Sequence, residues 1–151
     1  MSTGAITRVV IDTNLIIAGR WNPQSASGRI IDLCLEQKLL PVFSDKTRQE
    51  NMRILDKVRP DAGYLQKVKV FFSKSEYVMP SQRVDICSDK SDNLYFEAAL
   101  AGGASYIISN DKHLLEHDGY MGVRVMRPAD FLKMRGGQKH QDIEPSDDFG
   151  V

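Results

Sequence analysis

Two short stretches place an acid where a buried strand would end. In "RVVIDTN", residues 8–14, an apolar run stops at Asp12 rather than at a turn residue, and in "YIISND" a similar run meets Asp111. Between them lie Glu50, in a segment of helical pattern, and Asp92, in "DKSDNLYF". Each acid alone has an ordinary explanation. Asp12 and Asp111 can cap helices or form turns, Asp92 suits the positive end of a helix dipole, and Glu50 can pair with Arg53 or Lys46 on a solvated face. Taken together they imply different chemistry. Two carboxylates about 4 Å apart repel by roughly 4 kcal/mol at an effective dielectric near 20, so a cluster of them takes up protons or binds a cation. An all-oxygen donor set selects a hard ion, Mg²⁺ or Mn²⁺, over zinc. Such an ion orients phosphate and lowers the pKa of a bound water. Thr13, Asn14, Asn93, Ser109 and Asn110 add short polar groups suited to hold the ligands or touch substrate.

Other chemistry-bearing residues form weaker patterns. His113 and His117 share a helical face at i, i+4 but lack the companion Glu of a zinc protease. Cys34 and Cys87 lie far apart, form no C-x-x-C motif and read as small buried apolar residues. A basic run from Lys46 through Arg48, Arg53 and Lys57 to Arg59, followed by Lys67 and Lys69, reads mostly as solvated helix surface with some capacity for phosphate.

The elements that must position the acids alternate in type. "AITRVVI" (5–11), "LLPVFS" (39–44), "SEYVM" (75–79), "SYIIS" (105–109) and "GVRVM" (122–126) read as strands, with Pro41 pointing to an edge position or a bulge. Helices are expected in "NLIIAGR", ending near Gly19, and in "GRIIDLCLEQK" (28–38), with Ser25 or Ser27 as its cap. Two more follow in "DKTRQENMRILDKV", stopped by Pro60, and "DAGYLQKVKVFFSK", capped by Asp61. "NLYFEAALAGG" is closed by the Gly102–Gly103 pair, "DKHLLEH" is short, and "PADFLKM" opens with Pro in its first turn. Strands interleaved with helices imply an α/β fold, a parallel sheet covered on both faces. Ligands in such sheets sit beyond the carboxyl ends of the strands where the strand order reverses. Asp12 and Asp111 follow the first and fourth strands, so they meet there if those strands are neighbours.

The chain has 151 residues, 42% hydrophobic and 26% charged, enough for one domain with its own core. No apolar run approaches the roughly 18–20 residues of a membrane span. "MSTGAITRVV" has no apolar signal core, so a cytoplasmic location is expected. Formal net charge is zero, which argues against strong non-specific nucleic-acid binding. The last twelve residues, "HQDIEPSDDFGV", contain four acids and no Lys or Arg, leaving the preceding residues an excess of four basic groups. Residues 1–135 are expected to form the domain and 136–151 a disordered acidic tail.

"VIDTNLIIAG", "FSDKTRQENMRIL" and "DKSDNLYFEAALAGGASYIISNDKHLL" together resemble the PIN-domain family of nucleases, especially the branch that supplies toxins of type II toxin–antitoxin systems. The resemblance runs from about residue 6 to 132. It implies a three-layer α/β/α sandwich and metal-dependent cleavage of RNA. By the same resemblance Asp12, Glu50, Asp92 and Asp111 are the catalytic and metal-binding acids for Mg²⁺ or Mn²⁺, and Asn14 and Ser109 match the family's polar motif positions. With Asn93, a short polar group beside the acids, they are expected to hold those acids in place or touch substrate. Relatives often have two adjacent acids before the "DN" helix, whereas here Ser91 stands beside Asp92 and Asp89 lies further back. The implied partners are an RNA substrate, a small antitoxin protein and a second copy of the chain in a homodimer. Two other readings compete: a non-catalytic nucleic-acid or protein binding module on the same fold, and a phosphatase of the haloacid-dehalogenase type. The phosphatase needs an Asp where Asn14 stands.

Overall fold

In a computed structural model of the chain, residues 5–139 are described. β-Branched residues build β1 (Thr7–Ile11), and Asp12 caps α1 (Thr13–Trp21). Ser25 caps α2 (Ala26–Leu35) by accepting from the Gly28 N–H. This helix therefore starts earlier than its apolar periodicity suggests, and it ends earlier too, with Gln37 at φ 62. Gly28 is required where it stands, because a Cβ there would lie 2.6 Å from the Pro23 carbonyl oxygen.

β2 (Leu39–Ser44) leads into α3 (Asp45–Val58) through a capping box in which Ser44 and Thr47 satisfy each other's backbone N–H groups. Arg59 ends α3 in the left-handed region just before Pro60, where Pro cannot continue a helix. α4 (Ala62–Ser73), capped by Asp61, is followed by β3 (Glu76–Val78). A 3₁₀ turn then leads into α5 (Asn93–Gly102), which Gly103 closes at φ +64. The last elements are β4 (Tyr106–Ile108), α6 (Lys112–Leu115) with Asp111 as cap, β5 (Arg124–Met126) and α7 (Pro128–Lys139).

All strand pairings are parallel, in the order β3-β2-β1-β4-β5. Pro41 is tolerated in the second strand of this order because pairing with β3 begins only at Val42. Val9 and Ile11 join one apolar cluster with Leu15, Ile30, Phe43, Phe71 and Phe131. Val10 faces the other way, into a cluster with Val42, Phe96, Ile107 and Leu114. Alternate residues of one strand thus serve two cores, as a sheet covered on both faces requires. The result is the α/β/α sandwich. Rings such as Phe43, packed against Phe71 and Phe72 at 5.8 and 5.0 Å, each contribute about 1.5–3 kcal/mol by leaving water.

α7 differs from expectation. It runs on through Gly136 and Gly137 to Lys139, since each glycine weakens a helix by only about 1 kcal/mol, and Met134 anchors this last stretch against Tyr106 at 3.8 Å. Residues 140–151, the rest of the expected tail, lie outside the described residues. Among the described residues no helix is long and apolar enough to cross a membrane.

Candidate functional site

The sheet order reverses between β1 and β4, which pair as Val9–Tyr106, Val10–Ile107 and Ile11–Ile108. The register continues one step further, with the Asp12 N–H donating to the Ile108 carbonyl at 3.1 Å. Asp12 is thereby fixed at the strand end, and the residue is only 5% exposed. Its carboxylate accepts two hydrogen bonds. The Ser109 hydroxyl donates to Oδ2 at 2.6 Å and the Asn14 N–H donates to Oδ1 at 3.1 Å, and the nearby Tyr95 hydroxyl also favours the charged form. Burial nevertheless dominates and raises the Asp12 pKa, with the negative charge of Asp111 adding to the rise.

Ser109 joins the two strand-end acids. Fully buried, it donates to Asp12 while its Oγ accepts the Asp111 N–H at 2.9 Å. Asp111 in turn caps α6, accepting the His113 N–H.

Asp92 reaches the same edge from the start of α5 and makes no capping hydrogen bond. Its pKa is pushed up to about 6, first by burial and then by the charges of Asp89, Asp111 and Asp12, with His113 opposing. The Cys87 thiol, pushed up to about 11 chiefly by burial, also feels Asp92, Asp89 and Asp111. Asp12, Asp89 and Asp111 thus all lie within electrostatic reach of Asp92. Asp89 differs from the others, because hydrogen bonds from Ser91 hold its pKa below the usual value.

Glu50 is engaged elsewhere. Its carboxylate pairs with Arg53, one turn along α3, at 2.9 Å. Asn14 is exposed and contributes its backbone N–H. Asn93 is buried, and its Oδ1 accepts the N–H groups of Ile86 and Cys87 at 3.0 and 2.9 Å. That carbonyl ties the preceding loop to α5 and so positions Asp89 and Asp92.

Two residues here escape a sequence reading. Tyr95 is buried, with its hydroxyl 3.2 Å from Thr13 Oγ1; burial and the nearby Asp12 charge raise its pKa. Its signal was the i, i+3 spacing from Asp92, which puts both at the front of α5. Asn51 adjoins Glu50, is fully buried, and finds no hydrogen-bond partner for Oδ1 or Nδ2 among the described residues. Leaving such a group unmet costs about 1–3 kcal/mol. The clue was a polar residue within the stripe Thr47, Asn51, Leu55.

Among the described residues no three His, Cys, Asp or Glu side chains close into a ready-made metal centre. The edge instead presents Asp12, Asp92 and Asp111 within electrostatic reach of one another. Oxygen donors of this kind suit a hard divalent ion. Two of the three have raised pKa values, so the surroundings disfavour their charge and a cation would relieve that cost. The three aspartates fit such an ion in their chemistry, whereas Glu50 is held by Arg53.

A family model described as PIN domain matches residues 8–113 of the chain. The uncharacterized protein MJ1680 of Methanocaldococcus jannaschii is 29% identical, over an alignment covering 83% of this chain and 90% of that protein.

Proposed function

Since this chain belongs to the PIN-domain family, whose members are generally nucleases, we propose that it is a metal-dependent endoribonuclease. The observation that supports this most is the linkage of Asp12 and Asp111 through Ser109 at the sheet's switch point, with both of their charges raising the cost of charge on Asp92. In this reading the three aspartates hold Mg²⁺ or Mn²⁺, and Glu50 completes the set by exchanging Arg53 for the ion. When bound, the ion supplies an activated water and offsets charge developing on the scissile phosphate.

The chain's own groups do the positioning. Ser109 fixes the relative orientation of Asp12 and Asp111, Tyr95 and Thr13 steady Asp12 from α5 and α1, and Asn93 sets the loop that delivers Asp92. Asn14, exposed beside Asp12, is the group offered for substrate contact. Ser109→Ala is expected to weaken Mn²⁺ binding about tenfold, as loss of an orienting partner does. Unchanged affinity in a calorimetric titration would remove that role.

The substrate class is tested by incubating single-stranded RNA with purified protein. Internal cleavage with Mn²⁺ or Mg²⁺, abolished by chelator, is expected; cleavage that persists in chelator refutes the metal reading. The toxin role follows the likeness of "VIDTNLIIAG" and "DKSDNLYFEAALAGGASYIISNDKHLL" to the toxin branch. It entails a small antitoxin covering the acidic edge, and a homodimer. Induced expression should arrest growth, and an equal arrest by Asp111→Asn would separate toxicity from nuclease chemistry.

A further inference from the structure

Beside the free edge of the sheet, α3 and α4 enclose a cleft of about 360 Å³ whose lining includes Arg48, Met52, Val68, Lys69, Phe72 and Tyr77. The Arg48 guanidinium lies over two rings, 5.8 Å from the centroid of Phe72 and 5.6 Å from that of Tyr77. Tyr77 is 44% exposed and Met79, just beyond it, 89%. No acid lines the cleft, and among the described residues neither Arg48 nor Lys69 makes an ion pair. Two uncompensated cations and an accessible ring therefore share one concavity.

Its place in the sheet matters. Tyr77 pairs in register with Phe43, and continuing the Val9–Pro41 register sets Phe43 level with Ile11, the residue before Asp12. At about 4.8 Å per strand, Tyr77 is roughly 10 Å across the sheet from the aspartate edge. The parallel strands bring Tyr77 and Asp12 toward the same end of the sheet, with the cleft on the face of Phe43 and Phe72 and the helix that delivers Asp92 on the other.

The geometry points to this cleft as a subsite for single-stranded RNA, which places a backbone phosphate on Arg48 and Lys69 and a base against Tyr77 while the chain continues to the aspartates. This rests on the ribonuclease reading of that edge. Cations without acidic neighbours favour a polyanion over a protein surface of mixed charge. Stacking on an exposed ring requires a base whose face is free, which a duplex does not offer.

Fluorescence anisotropy with a labelled oligouridylate of about 12 nucleotides, a length within the usual range for single-strand sites, tests the subsite in chelator, where no cleavage is expected. Arg48→Ala and Lys69→Glu should each weaken binding about five- to tenfold and flatten the salt dependence by roughly 0.7 in log–log slope for each phosphate no longer neutralised. Tyr77→Ala should weaken it at least about fivefold with the slope unchanged, and Tyr77→Phe should restore it. Lys69 is exposed, so Lys69→Glu reads binding without a folding penalty. Wild-type affinity in Arg48→Ala, Lys69→Glu and Tyr77→Ala overturns the subsite. So does a changed sedimentation coefficient of the free protein with RNA affinity unmoved, which would assign the face to contacts between proteins. If the wild type binds through these residues yet never cleaves, the nuclease reading falls and the subsite stands. If it cleaves while the variants bind normally, the subsite alone falls.

Discussion

Asp12→Asn and Asp111→Asn each lower RNA cleavage by at least about 10²–10³-fold, the scale of losing one electrostatic group from an active site, without unfolding the protein. Asp12 shows why the two effects separate. Its Oδ1 accepts the Asn14 N–H and its Oδ2 accepts the Ser109 hydroxyl. An asparagine there can keep its oxygen toward the Asn14 N–H and turn its amide toward Ser109, whose hydroxyl can accept as well as donate. The charge disappears but most of the hydrogen bonding survives. Because burial already raises the Asp12 pKa, removing that charge relieves the folded state, and the Asp12→Asn variant should melt at or above the wild-type temperature at pH 7. Single-turnover cleavage and thermal melts on the same preparations check both halves. Full ribonuclease activity in either purified variant would exclude the proposed roles of these acids.

The pH dependence of stability gives the second large effect. Without a divalent ion the folded protein keeps the Asp92 proton up to about pH 6, whereas the unfolded chain releases it near pH 3.9. Between those values the folded state binds more protons, so this contribution to stability is fully present below about pH 4 and is lost as pH rises through about 6. Asp12, also raised, acts in the same direction. Asp89 and Asp118, whose pKa values are lowered by hydrogen bonds from Ser91 and Arg124, act oppositely and lose their contribution as pH falls below the usual carboxylate range. Melting temperature in chelator should therefore decline from pH 5 to 7, and Asp92→Asn should flatten the decline. Mn²⁺ at 100 times its Kd adds about 2.7 kcal/mol, several degrees in Tm, at pH 7 and much less at pH 4. A melting temperature that rises from pH 5 to 7 in both proteins alike would exclude Asp92 as the group responsible.

Much of this was legible in the chain because it depends on local pattern. The β-branched run before Asp12 and the shorter one before Asp111 fix two strand ends, and the rule for open parallel sheets brings them together at the switch point. The α5 helix announces itself through its alanines and its glycine cap. What stayed hidden depends on partners distant in sequence. Arg48 belongs to a basic run that reads as solvated surface, and only the return of α4 and β3 puts Phe72 and Tyr77 beneath it. Glu50 reads by itself as a partner of Arg53 or Lys46 and only by resemblance as a metal ligand, and the local ion pair with Arg53 occupies it. Asn93 has the right chemistry for substrate, but its acceptor is taken by the Ile86–Cys87 backbone. Short-range signals set the elements; competition among tertiary contacts sets what each polar side chain does.

Calorimetric titration of Mn²⁺ at pH 6, repeated in two buffers of different ionisation enthalpy, addresses cation capture by the strand-end carboxylates without intermediaries. Saturable binding that releases a substantial fraction of a proton is expected, with that release lost in Asp92→Asn and the binding itself lost in Asp12→Asn. Heats indistinguishable from dilution, or equal affinity in all three proteins, would mean that these aspartates do not gather around an ion.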